Sequence, residues 1–78
     1  MAVKELIGFM IKELVESPDK VMISEVESQE KTIVQVHVAP QDIGRVIGTD
    51  GRTFRALRAV LQLLGHDKKY DLVIDISA

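Results

Sequence analysis

The residues of this chain whose types and spacing could do chemistry lie in one stretch, Ile43-Gly44-Arg45-Val46-Ile47-Gly48-Thr49-Asp50-Gly51-Arg52-Thr53-Phe54. Three of the five glycines fall there, at Gly44, Gly48 and Gly51, and Arg45, Arg52, Arg55 and Arg58 lie around them. Gly48 and Gly51 bracket two residues, the pattern Gly-x-x-Gly, at a point where one short helix stops and another starts. Glycine accepts the positive φ of a tight reversal and lets another backbone approach closely. A helix starting at Gly51 or Arg52 presents up to about four unpaired N–H groups at the positive end of its dipole. That is a seat for an anion, and a phosphodiester backbone fits it. Arginine, with its planar fork, is the side chain best matched to such an anion. Ile43, Val46 and Ile47 on one side, with Leu57 and the edge of the second strand on the other, could line an apolar slot for unpaired bases.

Other phosphate motifs do not fit. The glycines do not form Gly-x-Gly-x-x-Gly after a strand, and no Gly-Lys-Ser/Thr follows. With no cysteine in the chain there is neither a disulfide framework nor a thiolate ligand or nucleophile. His37 sits on a polar strand face and His66 in a loop, and neither belongs to a cluster with metal-ligand spacing. Ser24, Ser28 and Ser77 have no base at a recognisable spacing. Asp71 and Asp75 share an open strand face and read as solubilising. Phe9, Phe54 and Tyr70 form no stacking platform, and Phe9 and Phe54 are expected in the core. No enzyme, cofactor or metal is expected.

The charge distribution points to the same stretch. The chain carries a net −2 over 78 residues. Residues 1–39 hold four Lys and seven acids, net −3. Residues 40–58 hold four Arg and two Asp, net +2, and residues 59–78 hold two Lys and three Asp, net −1. The one positive segment is the one with the glycines. A 46% hydrophobic content rich in Val, Ile and Leu is that of a globular chain, and the length fits one domain, 1–78. Charges at Lys4, Glu5, Lys12 and Glu13 leave no signal-peptide core, and no apolar run reaches the ~18 residues of a membrane span. A cytoplasmic setting is expected.

The elements that must position the turn follow from periodicity. Val3, Leu6, Ile7, Met10, Ile11 and Leu14 recur at helical spacing, and Ser17-Pro18 ends that helix. Lys20 to Glu27 reads as a strand carrying the β-branched Val21, Ile23 and Val26. Ser28 to Lys31 fits a hairpin turn without the usual glycine. Thr32 to Ala39 alternates, with Val34, Val36 and Val38 opposite Gln35 and His37. Pro40 suits the first turn of a short helix to about Ile47, and Asp42 suits its positive end. Arg52 to Leu64 forms a third helix with Phe54, Leu57, Leu61 and Leu64 as its core stripe. Gly65 ends it, and Tyr70 to Ile76 alternates as a final strand. The expectation is an α+β fold, a two-layer α/β sandwich in the order α-β-β-α-α-β. Three helices cover one face of a three-stranded mixed sheet, whose last strand arrives by a helical crossover and pairs in parallel.

In this element order, Val46-Ile47-Gly48-Thr49-Asp50-Gly51-Arg52-Thr53-Phe54 resembles the signature of the K-homology (KH) domain. The N-terminal extension resembles the type II, prokaryotic arrangement, and the whole chain is similar to the small bacterial single-KH proteins of the KhpA family. The resemblance implies that Gly48, Thr49, Asp50 and Gly51 clamp the backbone of about four unpaired nucleotides. By position, Ile43, Val46, Ile47 and Leu57 would line the base groove. Arg45, Arg52, Arg55, Lys68 and Lys69 would meet the RNA backbone, the two lysines from the variable loop. It further implies self-association as a homodimer, or pairing with a second, KhpB-like KH-containing protein. Thr49 and Asp50 depart from the pattern, since such loops usually carry Lys or Arg between the glycines. Asp50 puts negative charge at the phosphate seat unless its carboxylate caps the next helix. Two functions are therefore expected to compete. One is an RNA-binding module of low sequence selectivity, an RNA chaperone or post-transcriptional regulator, with single-stranded DNA an open alternative ligand. The other is a KH-fold protein-interaction module with weak or no RNA binding.

Overall fold

A computed structural model describes residues 3–65 and 69–75 of the chain. Helix α1 spans Val3–Leu14, strand β1 Met22–Glu27, strand β2 Thr32–His37, helix α2 Ile43–Ile47, helix α3 Arg52–Leu64 and strand β3 Tyr70–Asp75. The order is the expected one, with single 3-10 turns at Pro18–Lys20, Pro40–Asp42 and Thr49–Gly51. The sheet runs β1-β2-β3, with β1 antiparallel to β2 and β3 parallel to β2. Ile76, expected in the last strand, lies outside the described residues.

The hairpin between β1 and β2 closes without glycine because Ser28 supplies the missing bonds. Its hydroxyl donates to the Lys31 carbonyl at 2.8 Å and accepts from the Lys31 N–H at 3.2 Å. Serine side chains make such local turns, replacing a backbone conformation with a side-chain bridge.

One face of the sheet is buried. Val34 and Val36 of β2 and Leu72 of β3 meet Ile7 and Ile11 of α1, Val46 of α2, and Leu57 and Leu61 of α3 in one cluster. The alternation seen in the sequence is the cause: residues two apart on a strand share a face. The open face carries Ser24, Gln35 and Val73 in one cross-strand row and Met22, His37 and Asp75 in the next. Two expected core residues lie elsewhere. Phe9 is 62% exposed and Leu64 40%, because Ile7 and Ile11 take the inward side of α1 and Leu57 and Leu61 that of α3. Val15, one residue beyond α1, packs against the core in place of the exposed Leu14.

Asp42 does a different job from the one its position suggests. It makes no side-chain cap on α2. The carboxylate is fully buried and accepts the backbone N–H groups of Glu16 and Ser17, each at 3.1 Å. Those donors follow α1, so one carboxylate fastens the end of α1 to the start of α2. The guanidinium of Arg45 lies 3.5 Å from it. A buried charge is tolerated only when hydrogen-bonded and paired in this way.

The reversal between α2 and α3 depends on backbone conformations that ordinary residues avoid. The Gly48 N–H donates to the Gly44 carbonyl at 2.8 Å, closing α2 after little more than a turn. Gly48 then takes φ +77°, Asp50 +56° and Gly51 +74°. A Cβ on Gly48 would collide with Thr53, 2.8 Å from its Cβ and 2.9 Å from its backbone nitrogen; one on Gly51 meets nothing within 4 Å. The two glycines are thus required for different reasons, one by φ and contact, the other by φ alone.

Two outcomes follow for urea denaturation. Asp42→Ala leaves two partly buried N–H groups without an acceptor and is expected to cost about 2–4 kcal/mol. Gly51→Ala is expected to cost about 1 kcal/mol and Gly48→Ala at least twice that, because a collision with Thr53 adds to the left-handed φ. Equal losses at the two glycines would contradict the packing described.

Candidate nucleic-acid interface

The turn presents Gly48, Thr49, Asp50 and Gly51 at the surface, with Thr49 and Asp50 exposed and the glycines partly so. The Gly51 N–H reaches the Gly48 carbonyl at 3.1 Å, holding the four residues as one compact unit. Arg55, one turn into α3, donates from Nη2 to the Asp50 carbonyl at 3.1 Å. That bond braces the loop from the α3 side and places a cation beside it. The Asp50 carboxylate does not cap α3. Its negative charge therefore stays in solvent at the loop's centre, opposing an incoming phosphate.

The other expected cations divide into free and engaged. Arg52 is exposed and has no ion-pair partner among the described residues. Arg45 is engaged: its Nη2 pairs with Glu16 and its Nε faces the buried Asp42. It serves first as a tie between α2 and the end of α1, and can reach RNA only by leaving those carboxylates. Lys69 is exposed, and its carbonyl accepts the Thr32 N–H at 2.8 Å, which pins it beside the start of β2. Lys68 lies outside the described residues.

The expected base groove is narrower than the sequence suggested. Val46 is 0% exposed and Leu57 3%; both are core residues and cannot touch a base in this conformation. Ile43 and Ile47 are half-buried and remain as its apolar surface. Helical spacing explains the difference. Val46 and Leu57 face inward in their own helices, while Ile43 and Ile47, four apart, share the adjoining side of α2.

One set of side chains escaped sequence reasoning. Asp71 Oδ1 lies 3.4 Å from Arg58 Nε and its Oδ2 3.6 Å from Lys31 Nζ. Three elements distant in the chain meet there, and only the parallel pairing of β2 with β3 brings them together. Among the described residues, no group of three or more His, Asp or Glu side chains is arranged to hold a metal ion, and no helix is long and apolar enough to cross a membrane.

Known proteins resemble this sequence. The family described as KhpA/KhpB, KH domain, matches residues 4–76. The RNA-binding protein KhpA of Aquifex aeolicus is 36% identical over 75 residues, 96% of this chain and 95% of its own. That of Clostridium acetobutylicum is 37% identical over 73 residues, 94% of this chain and 97% of its own. That of Chlamydia pneumoniae is 43% identical over 58 residues, 74% of each chain. No solved structure matches. The fold, the glycine turn and this similarity over nearly the full length agree, and the chain belongs to the KhpA/KhpB family of KH domains.

Proposed function

We propose that this protein is a non-enzymatic RNA-binding module that holds short single-stranded RNA beside the Gly48–Gly51 loop. The observation that carries the reading is the backbone of that loop. Three positive φ values place two side-chain-free residues at the surface where α3 begins, leaving room for a phosphodiester to approach its N–H groups. The relatives named RNA-binding protein KhpA support RNA as the ligand. Arg52 and Arg55 supply charge at the loop, Lys69 and Lys68 along the variable loop, and Ile43 and Ile47 an apolar surface for bases. Stacking on aliphatic surface discriminates poorly between bases, so selectivity is low, as suits a cytoplasmic RNA chaperone or post-transcriptional regulator. One four-nucleotide site binds weakly. Useful affinity then comes from a homodimer, or from a second, KhpB-like KH-containing protein, through effective concentration.

A second reading has its own observation. Asp50 is exposed at the loop's centre, and Arg45 and Arg58 are paired with acids, which favours a KH-fold protein-interaction module that has lost RNA. The two separate in fluorescence anisotropy with a labelled ten-nucleotide RNA. An RNA-binding module loses at least about tenfold in affinity in the Thr49→Asp/Gly51→Asp variant, since two further carboxylates then join Asp50 in facing the phosphate. Aspartate tolerates the left-handed backbone, and thermal denaturation confirms that the variant folds. The wild-type protein is expected to show a logarithmic salt slope of about −2 to −3, at about −0.7 per phosphate contact. Equal binding by wild type and variant removes the loop as the site; no binding by either favours the protein-interaction reading. Matched RNA and DNA oligonucleotides decide between the two nucleic acids.

Asp50→Asn isolates the charge at the loop's centre. It keeps the shape and the tolerance of positive φ, and should tighten RNA binding about two- to fivefold, the scale of one solvent-exposed charge interaction. An unchanged affinity in the same assay would place the phosphate elsewhere.

A further inference from the structure

Arg55, Arg58 and Gln62 are three and four residues apart on α3 and so share one flank of the helix. That flank begins at the loop, where Arg55 holds the Asp50 carbonyl, and runs about 10 Å along the axis at 1.5 Å per residue. It ends in a concavity lined by Lys31, Arg58, Gln62, Gly65, Lys69, Tyr70 and Asp71. Among the described residues, three cations and one carboxylate line it, a surplus of positive charge. Asp71 sits between two of the cations, 3.4 Å from Arg58 Nε and 3.6 Å from Lys31 Nζ. Its Oδ1 also accepts the Leu72 N–H at 2.9 Å, which fixes the carboxylate in place.

A carboxylate held between an arginine and a lysine makes the contacts a phosphate oxygen pair would make there. We infer that Lys31, Arg58 and Lys69 form a second phosphodiester seat on the α3–β3 flank, and that Asp71 occupies it in the free protein, setting the affinity for RNA longer than the loop alone can hold. This deepens the reading of the Gly48–Gly51 loop and rests on it, since the strand would run from the loop past Arg55 to the flank. Both Asp71 pairs are half in solvent: the Lys31 and Arg58 side chains are 47% and 49% exposed and Asp71 30%. Exposed pairs of this kind are weak, so a phosphodiester can displace the carboxylate. The displacement lowers affinity, and fewer counterions are released than three cations would otherwise give.

The test is a double-mutant cycle read by anisotropy with a labelled ten-nucleotide single-stranded RNA at two salt concentrations. Asp71→Asn keeps the acceptor for Leu72 and removes the charge. It is expected to tighten binding about three- to tenfold and to steepen the salt slope by up to about 1.4, two contacts at about 0.7 each. Glu5→Gln, on α1 beside Val21 and Ile23 at the opposite edge of the sheet, makes the same change in net charge away from the seat and should alter affinity less than about twofold. In a Lys31→Gln/Arg58→Gln background the gain from Asp71→Asn should vanish. The inference is overturned if Asp71→Asn, shown folded by thermal denaturation, tightens binding no more than Glu5→Gln, or if its gain survives in that background. Running Thr49→Asp/Gly51→Asp alongside separates the two readings. Loss of binding there with no gain from Asp71→Asn sinks the flank seat and leaves the loop; undiminished binding there with a gain from Asp71→Asn sinks the loop and leaves the seat. No binding by wild type or Asp71→Asn up to millimolar protein overturns both.

Discussion

Everything proposed for this protein depends on one backbone constraint: the chain must leave α2 and enter α3 through residues with positive φ. Gly48 ends α2 by donating to Gly44, and Asp50 and Gly51 then turn in the left-handed region before Arg52 resumes the helix. Glycine makes this nearly strain-free at two positions, and Asp50 accepts it as one of the few side chains that do. The core holds the two helices at the angle the reversal needs, through Val46 on one and Leu57 and Leu61 on the other. Asp42 adds a second restraint by tying α2 to the segment after α1. A loop held at both ends meets a ligand without first having to be ordered, which lowers the entropic cost of binding.

The electrostatics pull in the opposite direction. The arginines that make the central segment positive are partly spoken for within the protein. Arg45 faces Glu16 and Asp42, Arg58 faces Asp71, Arg55 holds the Asp50 carbonyl, and only the Arg52 side chain among the four has neither an ion pair nor a hydrogen bond among the described residues. With Asp50 at the centre of the loop, the surface proposed to take a phosphodiester moderates its own charge. Such a surface suits rapid exchange along an RNA strand. On the function proposed above, tight binding would come from a second binding unit, in a homodimer or a partner.

How much of this the sequence carried depended on the range of the interaction. Local patterns were legible: the alternation of Val34 and Val36 against Gln35 and His37, the helix stop at Pro18, and the glycine spacing that set the turn. They sufficed for the element order, the parallel pairing of β3 and the position of the loop, because period and turn chemistry are properties of neighbours in sequence. The roles of single side chains were less legible. Val46 and Leu57 looked like groove residues but face the core, and Phe9 looked buried but is exposed, since an apolar residue at the margin of a helical stripe can fall either way. Asp42 read as a local helix-end charge, whereas its partners lie 25 and 26 residues earlier. Asp71 read as a solubilising strand residue until the parallel sheet brought Lys31 beside it. No local pattern encodes such encounters; they exist only once the fold does.

The central claim is that RNA is held at the loop between α2 and α3. Amide NMR of the isotopically labelled protein, titrated with a pool of short single-stranded RNAs, tests it most directly. The account predicts the largest and earliest shifts at Gly48, Thr49, Asp50, Gly51 and Arg52, with smaller ones at Ile43 and Ile47 and none on the open sheet face at Ser24 and Gln35. Shifts confined to the open face, or a spectrum unmoved at millimolar RNA, would contradict it.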